Sequence, residues 1–103
     1  MSVVVIATFT PKEGRVQEIL DALADSVPLV HQEPGCELYS VYTNDKVVVM
    51  VERWADGDAL RTHGTSDTYK VFSDRIEDAL DGRPTVVVSH NVPLGDPTKG
   101  TIQ

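Results

Sequence analysis

The run Val47-Val48-Val49-Met50-Val51 is apolar at every position. A strand with one face in water alternates apolar and polar side chains, whereas an unbroken apolar run of this length belongs to a strand covered on both faces. Its β-branched residues favour a strand over a helix. The run is also far shorter than the roughly 20 residues a membrane-spanning helix needs. Whatever sheet this chain forms must therefore be packed on two sides, and that requirement governs the rest of the reading.

Other segments supply the sheet and one of its covers. Val3 to Phe9 reads as the first strand, and Thr10-Pro11-Lys12-Glu13 reads as a capping box that starts a helix, with Pro11 in its first turn. Val16, Ile19, Leu20, Leu23, Val27 and Val30 recur at helical spacing, so one face of this helix lies on the sheet. Pro28 predicts a kink or an irregular last turn, and Glu33-Pro34-Gly35 a stop. Cys36 to Thr43 and Lys46 to Trp54 form a hairpin about the two-residue turn Asn44-Asp45. Asp56 offers a cap for a short helix ending at Gly64. Thr65 or Ser66 then starts a helix carrying Tyr69, Phe72, Ile76, Ala79 and Leu80, and Thr85 to Val92 forms the last strand. The order is β-α-β-β-α-β, an α+β split arrangement with helices on one face of an antiparallel sheet. The simplest cover for the other face is the same surface of a second copy, which predicts a homodimer. Residues 1–92 form one domain, and 93–103 a tail that is disordered or draped on a partner.

Charge and cysteine content narrow the functional classes. Nine basic residues against sixteen acidic ones give a net charge of −7, a field that disfavours nucleic acid and anionic membranes as partners. The single cysteine, Cys36, permits no internal disulfide and reads as a small buried residue. It suits a reducing, cytoplasmic setting. The N-terminus shows no secretory pattern. No ligand cluster points to a metal, and no glycine-rich loop or nucleophile elbow points to nucleotide or hydrolase chemistry.

Three fragments carry a resemblance. Glu33-Pro34-Gly35-Cys36-Glu37-Leu38-Tyr39, then Val51-Glu52-Arg53-Trp54, then Leu60 with His63 look like the antibiotic biosynthesis monooxygenase family over about residues 3 to 92. The resemblance implies a ferredoxin-like dimeric α+β barrel with a pocket between sheet and helices. It also implies oxidation of a small phenolic or quinol substrate by O2, with neither metal nor flavin. Many relatives carry a second histidine where this chain has Thr68. The haem-degrading branch carries asparagine, tryptophan and histidine where this chain has Ala7, His63 and Ser73, so haem is disfavoured as a substrate.

Such chemistry requires a base and a dry pocket, because the substrate must lose a proton before it can reduce oxygen. His63 is the candidate base, with packing at a helix end as its competing use. Trp54, Tyr69, Phe72, Tyr39 and His90 are the candidate substrate contacts. Trp54 is read first as an anchor that closes the core and only second as a substrate contact. Tyr39 and Tyr42 fall on opposite strand faces, so one of them at most addresses the pocket. Glu52 and Arg53 read first as a surface ion pair, with one facing the pocket and the other the dimer seam as the alternative, and His31 reads as solvent-facing. Two other readings are a non-catalytic dimeric barrel that binds a small hydrophobic ligand, and a small-molecule isomerase on the same scaffold.

Overall fold

A computed structural model describes residues 1–102. Four strands form one antiparallel sheet: β1 (Val3–Phe9), β2 (Cys36–Thr43), β3 (Val48–Trp54) and β4 (Thr85–Ser89), in the order β2-β3-β1-β4. Three helices, α1 (Val16–Val30), α2 (Gly57–Gly64) and α3 (Asp67–Ile76), complete the ferredoxin-like α+β fold. No described helix is long and apolar enough to cross a membrane.

Register decides which side chains meet. Val5 pairs with Glu52, Ala7 with Met50 and Phe9 with Val48, and all six are buried on the helix side. Ile19, Leu23 and Val30 of α1 and Phe72 and Ile76 of α3 close over them. The alternate residues Val4, Ile6, Val49 and Val51 point to the other face and are only half-buried. On β4 the three valines Val86, Val87 and Val88 stay 57–60% exposed, so this edge strand is thinly covered on both sides.

Several boundaries differ from the sequence reading, each for a non-local reason. The first helix starts at Val16 rather than at Pro11. The Thr10 carbonyl accepts from the Asp81 N–H at 2.7 Å and the Lys12 N–H donates to the Ala79 carbonyl at 2.8 Å. Pro11 forms a bridge with Leu80. The chain is thus held extended past β1, and Gly14 at φ 78° turns it into the helix. The helix also continues through Pro28 to Val30, where the His31 N–H donates to the Val27 carbonyl at 2.9 Å. Burial of Ile19, Leu23 and Val30 along one face outweighs the single amide that proline removes. The hairpin loop is longer than two residues and β3 begins at Val48, because Asn44 Oδ1 accepts from the N–H groups of Lys46 and Val47. The third helix gives way at Glu77–Ala79 to a 3-10 turn.

β4 stops at Ser89, opposite Val4, where its partner strand runs out. Beyond it the tail turns on Asp96, whose Oδ1 accepts from the N–H groups of Thr98 and Lys99. It returns to its own sheet, and Arg53 Nη1 donates to the Ile102 carbonyl at 2.8 Å. Only Gln103 lies outside the described residues.

Candidate functional site

Local capping fixes where His63 sits. The Asp56 side chain accepts from the Ala59 N–H at 2.8 Å and opens α2 directly after Trp54. One and a half turns later the helix delivers His63 to the interior, where it is only 4% exposed. Ser66 then joins the two helices. Its hydroxyl donates to the His63 carbonyl at 2.7 Å and accepts from the Tyr69 N–H at 3.1 Å, capping α3 as α2 ends. The spacing of the two rings is set by this junction, and their centroids lie 5.4 Å apart, edge to face.

Three aromatic rings surround the imidazole. Trp54 is stacked on it at 4.6 Å with 28° between planes, and Tyr39 meets it edge-on at 5.4 Å. Tyr39 in turn touches Trp54 at 6.2 Å. Tyr39 is therefore the tyrosine of β2 that faces the helix side, while Tyr42 is 55% exposed. Burial, followed by the nearby charge of Glu52, pushes the Tyr39 phenol far up, so its hydroxyl stays protonated and can only serve as a neutral partner. Trp54 is completely buried. It acts as a wall behind the imidazole, and no face of it is open to a substrate.

Two carboxylates approach the same group. Glu33 Oε1 lies 3.0 Å from His63 Nδ1, both side chains being largely buried, and Glu33 Oε2 is buried without a partner. A carboxylate oxygen can only accept, so a proton on Nδ1 is the tautomer that would complete a bond to an ionised Glu33. Nε2 makes no hydrogen bond among the described residues. Glu52 accepts from Trp54 Nε1–H at 2.9 Å. The expected Glu52–Arg53 surface pair does not form, because strand alternation puts Glu52 inside, 6% exposed, and Arg53 on the opposite face against Glu37 at 3.1 Å. Burial is the main cause that pushes the Glu52 carboxyl up, with the indole N–H and His63 opposing it.

The six candidate residues divide cleanly. His63, Trp54, Tyr39 and Tyr69 converge. Phe72 does not join them; it meets Phe9 edge-on at 5.7 Å, because its position on α3 turns it towards the sheet core. His90 stands apart as well, exposed and past the end of β4, where strand alternation no longer applies. It borders a hollow with Val4, Arg53 and Ile102. His31 is exposed as expected, with its Nε2 2.9 Å from the Tyr39 carbonyl. Cys36 is half-buried rather than buried, and burial pushes its thiol up, away from a reactive thiolate. Two members of the cluster reach hollows, Tyr39 one of about 390 Å³ beside His31 and Cys36, and Tyr69 another. Tyr69 lines a hollow of about 350 Å³ with Phe9, Ser73, Ile76, Leu80 and Pro84, a volume within the range of small-molecule sites. Among the described residues no three histidine, cysteine or acidic side chains are grouped so as to hold a metal ion.

The model of the family described as antibiotic biosynthesis monooxygenase matches residues 2–75, which span β1 to α3 and contain every member of the His63 cluster. This chain belongs to the antibiotic biosynthesis monooxygenase family. Solved structures agree. A structure described as an antibiotic biosynthesis monooxygenase is 26% identical with a TM-score of 0.82, covering 88% of this chain and 99% of that one. A protein of Mycobacterium tuberculosis is 26% identical with a TM-score of 0.81, over 93% and 98% of the two chains. A conserved protein of Methanosarcina mazei is 26% identical with a TM-score of 0.81, over 85% and 90%. No curated protein matches the sequence.

Within this family member, Thr68 lies away from the His63 rings. It lines a separate hollow between α1 and α3 with Ala22, Ser26, Leu29 and Val71. The sequence reading missed Glu33, and it gave Glu52 chiefly to a surface pair, with a place in the pocket as its lesser use. A usable signal existed for both: Glu33 opens one of the family-like fragments, and Glu52 keeps step with Val48, Met50 and Trp54 on the buried face of β3.

Proposed function

We propose that this protein is a cofactor-independent monooxygenase that oxidises a small phenolic or quinol substrate with O2, with His63 as the general base. The observation that carries this reading is the setting of the imidazole: Nδ1 lies 3.0 Å from Glu33, Nε2 makes no hydrogen bond among the described residues, and Tyr69, edge-on to the ring, lines a hollow of about 350 Å³. In the proposed reaction Nε2 takes the phenolic proton. The electron-rich anion then reduces O2, a carbon–oxygen bond forms, and loss of water leaves a quinone that keeps one oxygen atom. All the electrons come from the substrate, so no external reductant is needed. Family membership and the structure described as a monooxygenase support the assignment.

The functional unit in this reading is a homodimer whose outer sheet faces meet, leaving the His63 rings and the hollow on the helix side of each copy. A second reading, a non-catalytic barrel that binds a small hydrophobic ligand, draws support from the 4% exposure of His63, which is what a packed core histidine shows. Oxygen uptake by the purified protein against a panel of quinols and polyphenols, with metals chelated, separates the two. His63→Ala is expected to lower turnover by on the order of a hundredfold or more while the protein stays folded. A variant that loses thermal stability but keeps its rate removes His63 from the mechanism and favours the binding module.

A further inference from the structure

We infer that Glu33 is a positioning residue for His63, holding the ring proton on Nδ1 so that Nε2 is the acceptor, and that the Glu33-Pro34-Gly35 turn is the device that brings the carboxylate there. The inference rests on the reading of His63 as a base, and concerns a residue 30 positions away in the sequence.

Three observations meet at this turn. First, a glutamate just past the end of a surface helix would ordinarily be solvated, yet the Glu33 side chain is 17% exposed and faces a histidine side chain that is 5% exposed. Keeping a carboxylate there with one oxygen unpartnered is unfavourable, so its bond to Nδ1 is maintained against a desolvation cost. Second, the backbone of the turn is pinned at both ends. The Glu33 N–H donates to the Val30 carbonyl and the Cys36 N–H to the Glu33 carbonyl, while the Ala55 N–H donates to the Gly35 carbonyl at 2.8 Å. The turn is thereby locked both to α1 and to the start of α2. Third, the approach to α2 is closer than any side chain would allow. Gly35 has φ 83°, and a Cβ built on it would stand 2.5 Å from the Ala59 Cβ, one turn before His63 on α2. Glycine at 35 and alanine at 59 together let the turn lie against the helix that carries the imidazole. The arrangement resembles the orienting half of a carboxylate–histidine pair, in which the acid fixes the tautomer and direction of the ring without itself exchanging a proton.

A histidine with no partner at Nδ1 prefers to carry its neutral-form proton on Nε2, so the tautomer reports directly on Glu33. Nitrogen correlation spectra of the full-length protein labelled with ¹⁵N-histidine, with His63 assigned from its loss in His63→Gln, are expected to show Nδ1–H in the parent. In Glu33→Leu the His63 ring is expected to move towards Nε2–H while His31 and His90 stay unchanged. On any substrate found by oxygen uptake, Glu33→Leu should lower kcat on the order of a hundredfold with little change in KM. A parent ring with its proton on Nε2 overturns the inference and needs no variant. So does a folded Glu33→Leu protein that keeps Nδ1–H or retains its kcat. A Glu33-dependent Nδ1–H ring in a protein that consumes no oxygen supports the placement of Glu33 and sinks only the oxygenase reading.

Discussion

Glu52 is the residue whose environment departs furthest from what its charge would choose. It is packed against Trp54 and surrounded by the core of β1 and β3, with the indole N–H as its hydrogen-bond donor. Burial raises its folded-state affinity for a proton above that of the unfolded chain. The sign of the linkage follows: this carboxyl contributes stability that is fully present below the ordinary carboxylate range and is lost as pH rises through its raised folded value. Glu52→Gln keeps an oxygen for the indole and cannot ionise. Its melting temperature should exceed the parent's by several degrees near neutral pH, and the gap should close as pH falls towards 4, below the carboxyl's ordinary range. A calorimetric series across pH tests this, and a variant less stable than the parent at pH 7 would show that ionised Glu52 has a favourable role.

At the level of elements, local chemistry was legible and distant chemistry was not. The caps at Asp56 and Ser66 form as their sequence positions imply, since a cap needs only residues within three or four positions. The start of α1 was misplaced because the amides and carbonyls of Thr10 to Lys12 are claimed by residues about 70 positions on, which no capping pattern can reveal. The choice between Tyr39 and Tyr42 turned on the register shift between Cys36 and Leu38, equally invisible to simple alternation. His63, Trp54 and Tyr69 could be grouped because α2 and α3 follow β3 directly. Glu33 could not, since its contact depends on the close approach at Gly35. That approach makes its own prediction. Gly35→Ala places a methyl group 2.5 Å from Ala59 Cβ at φ 83°, and should cost about 2–4 kcal/mol from overpacking and left-handed strain together. Ala59→Gly in the same chain should recover the steric part and leave the backbone part, about 1 kcal/mol. Urea unfolding of the two variants and the double variant measures this, and full additivity would show that the two sites do not touch.

For the molecule as a whole, the unresolved demand is the outer face of the sheet. Ile6 and Val51 pair across β1 and β3, Val4 and Val49 lie beside them on the same face, and Val87 stands opposite Ile6 on β4 at 58% exposure. Among the described residues this face receives only the returning tail, anchored by the Arg53 bond to Ile102. The strands are thus apolar on a side that one copy does not cover, and a contiguous apolar surface of this kind marks an interface. The surface on β1 and β3 can be self-complementary across a two-fold axis, which closes the assembly at two copies. Sedimentation at micromolar concentration should therefore give twice the 11.3 kDa chain mass. Ile6→Lys, set among Val51 and Val87, would place a charge at the centre of the buried seam without touching the helix-side core. It should shift the protein to monomer while leaving its helical circular dichroism unchanged, because an unpaired buried charge costs several kcal/mol at an interface and little when the face is wet. A parent that sediments as a monomer at these concentrations would leave the outer face to another occupant and remove the barrel from the proposed mechanism.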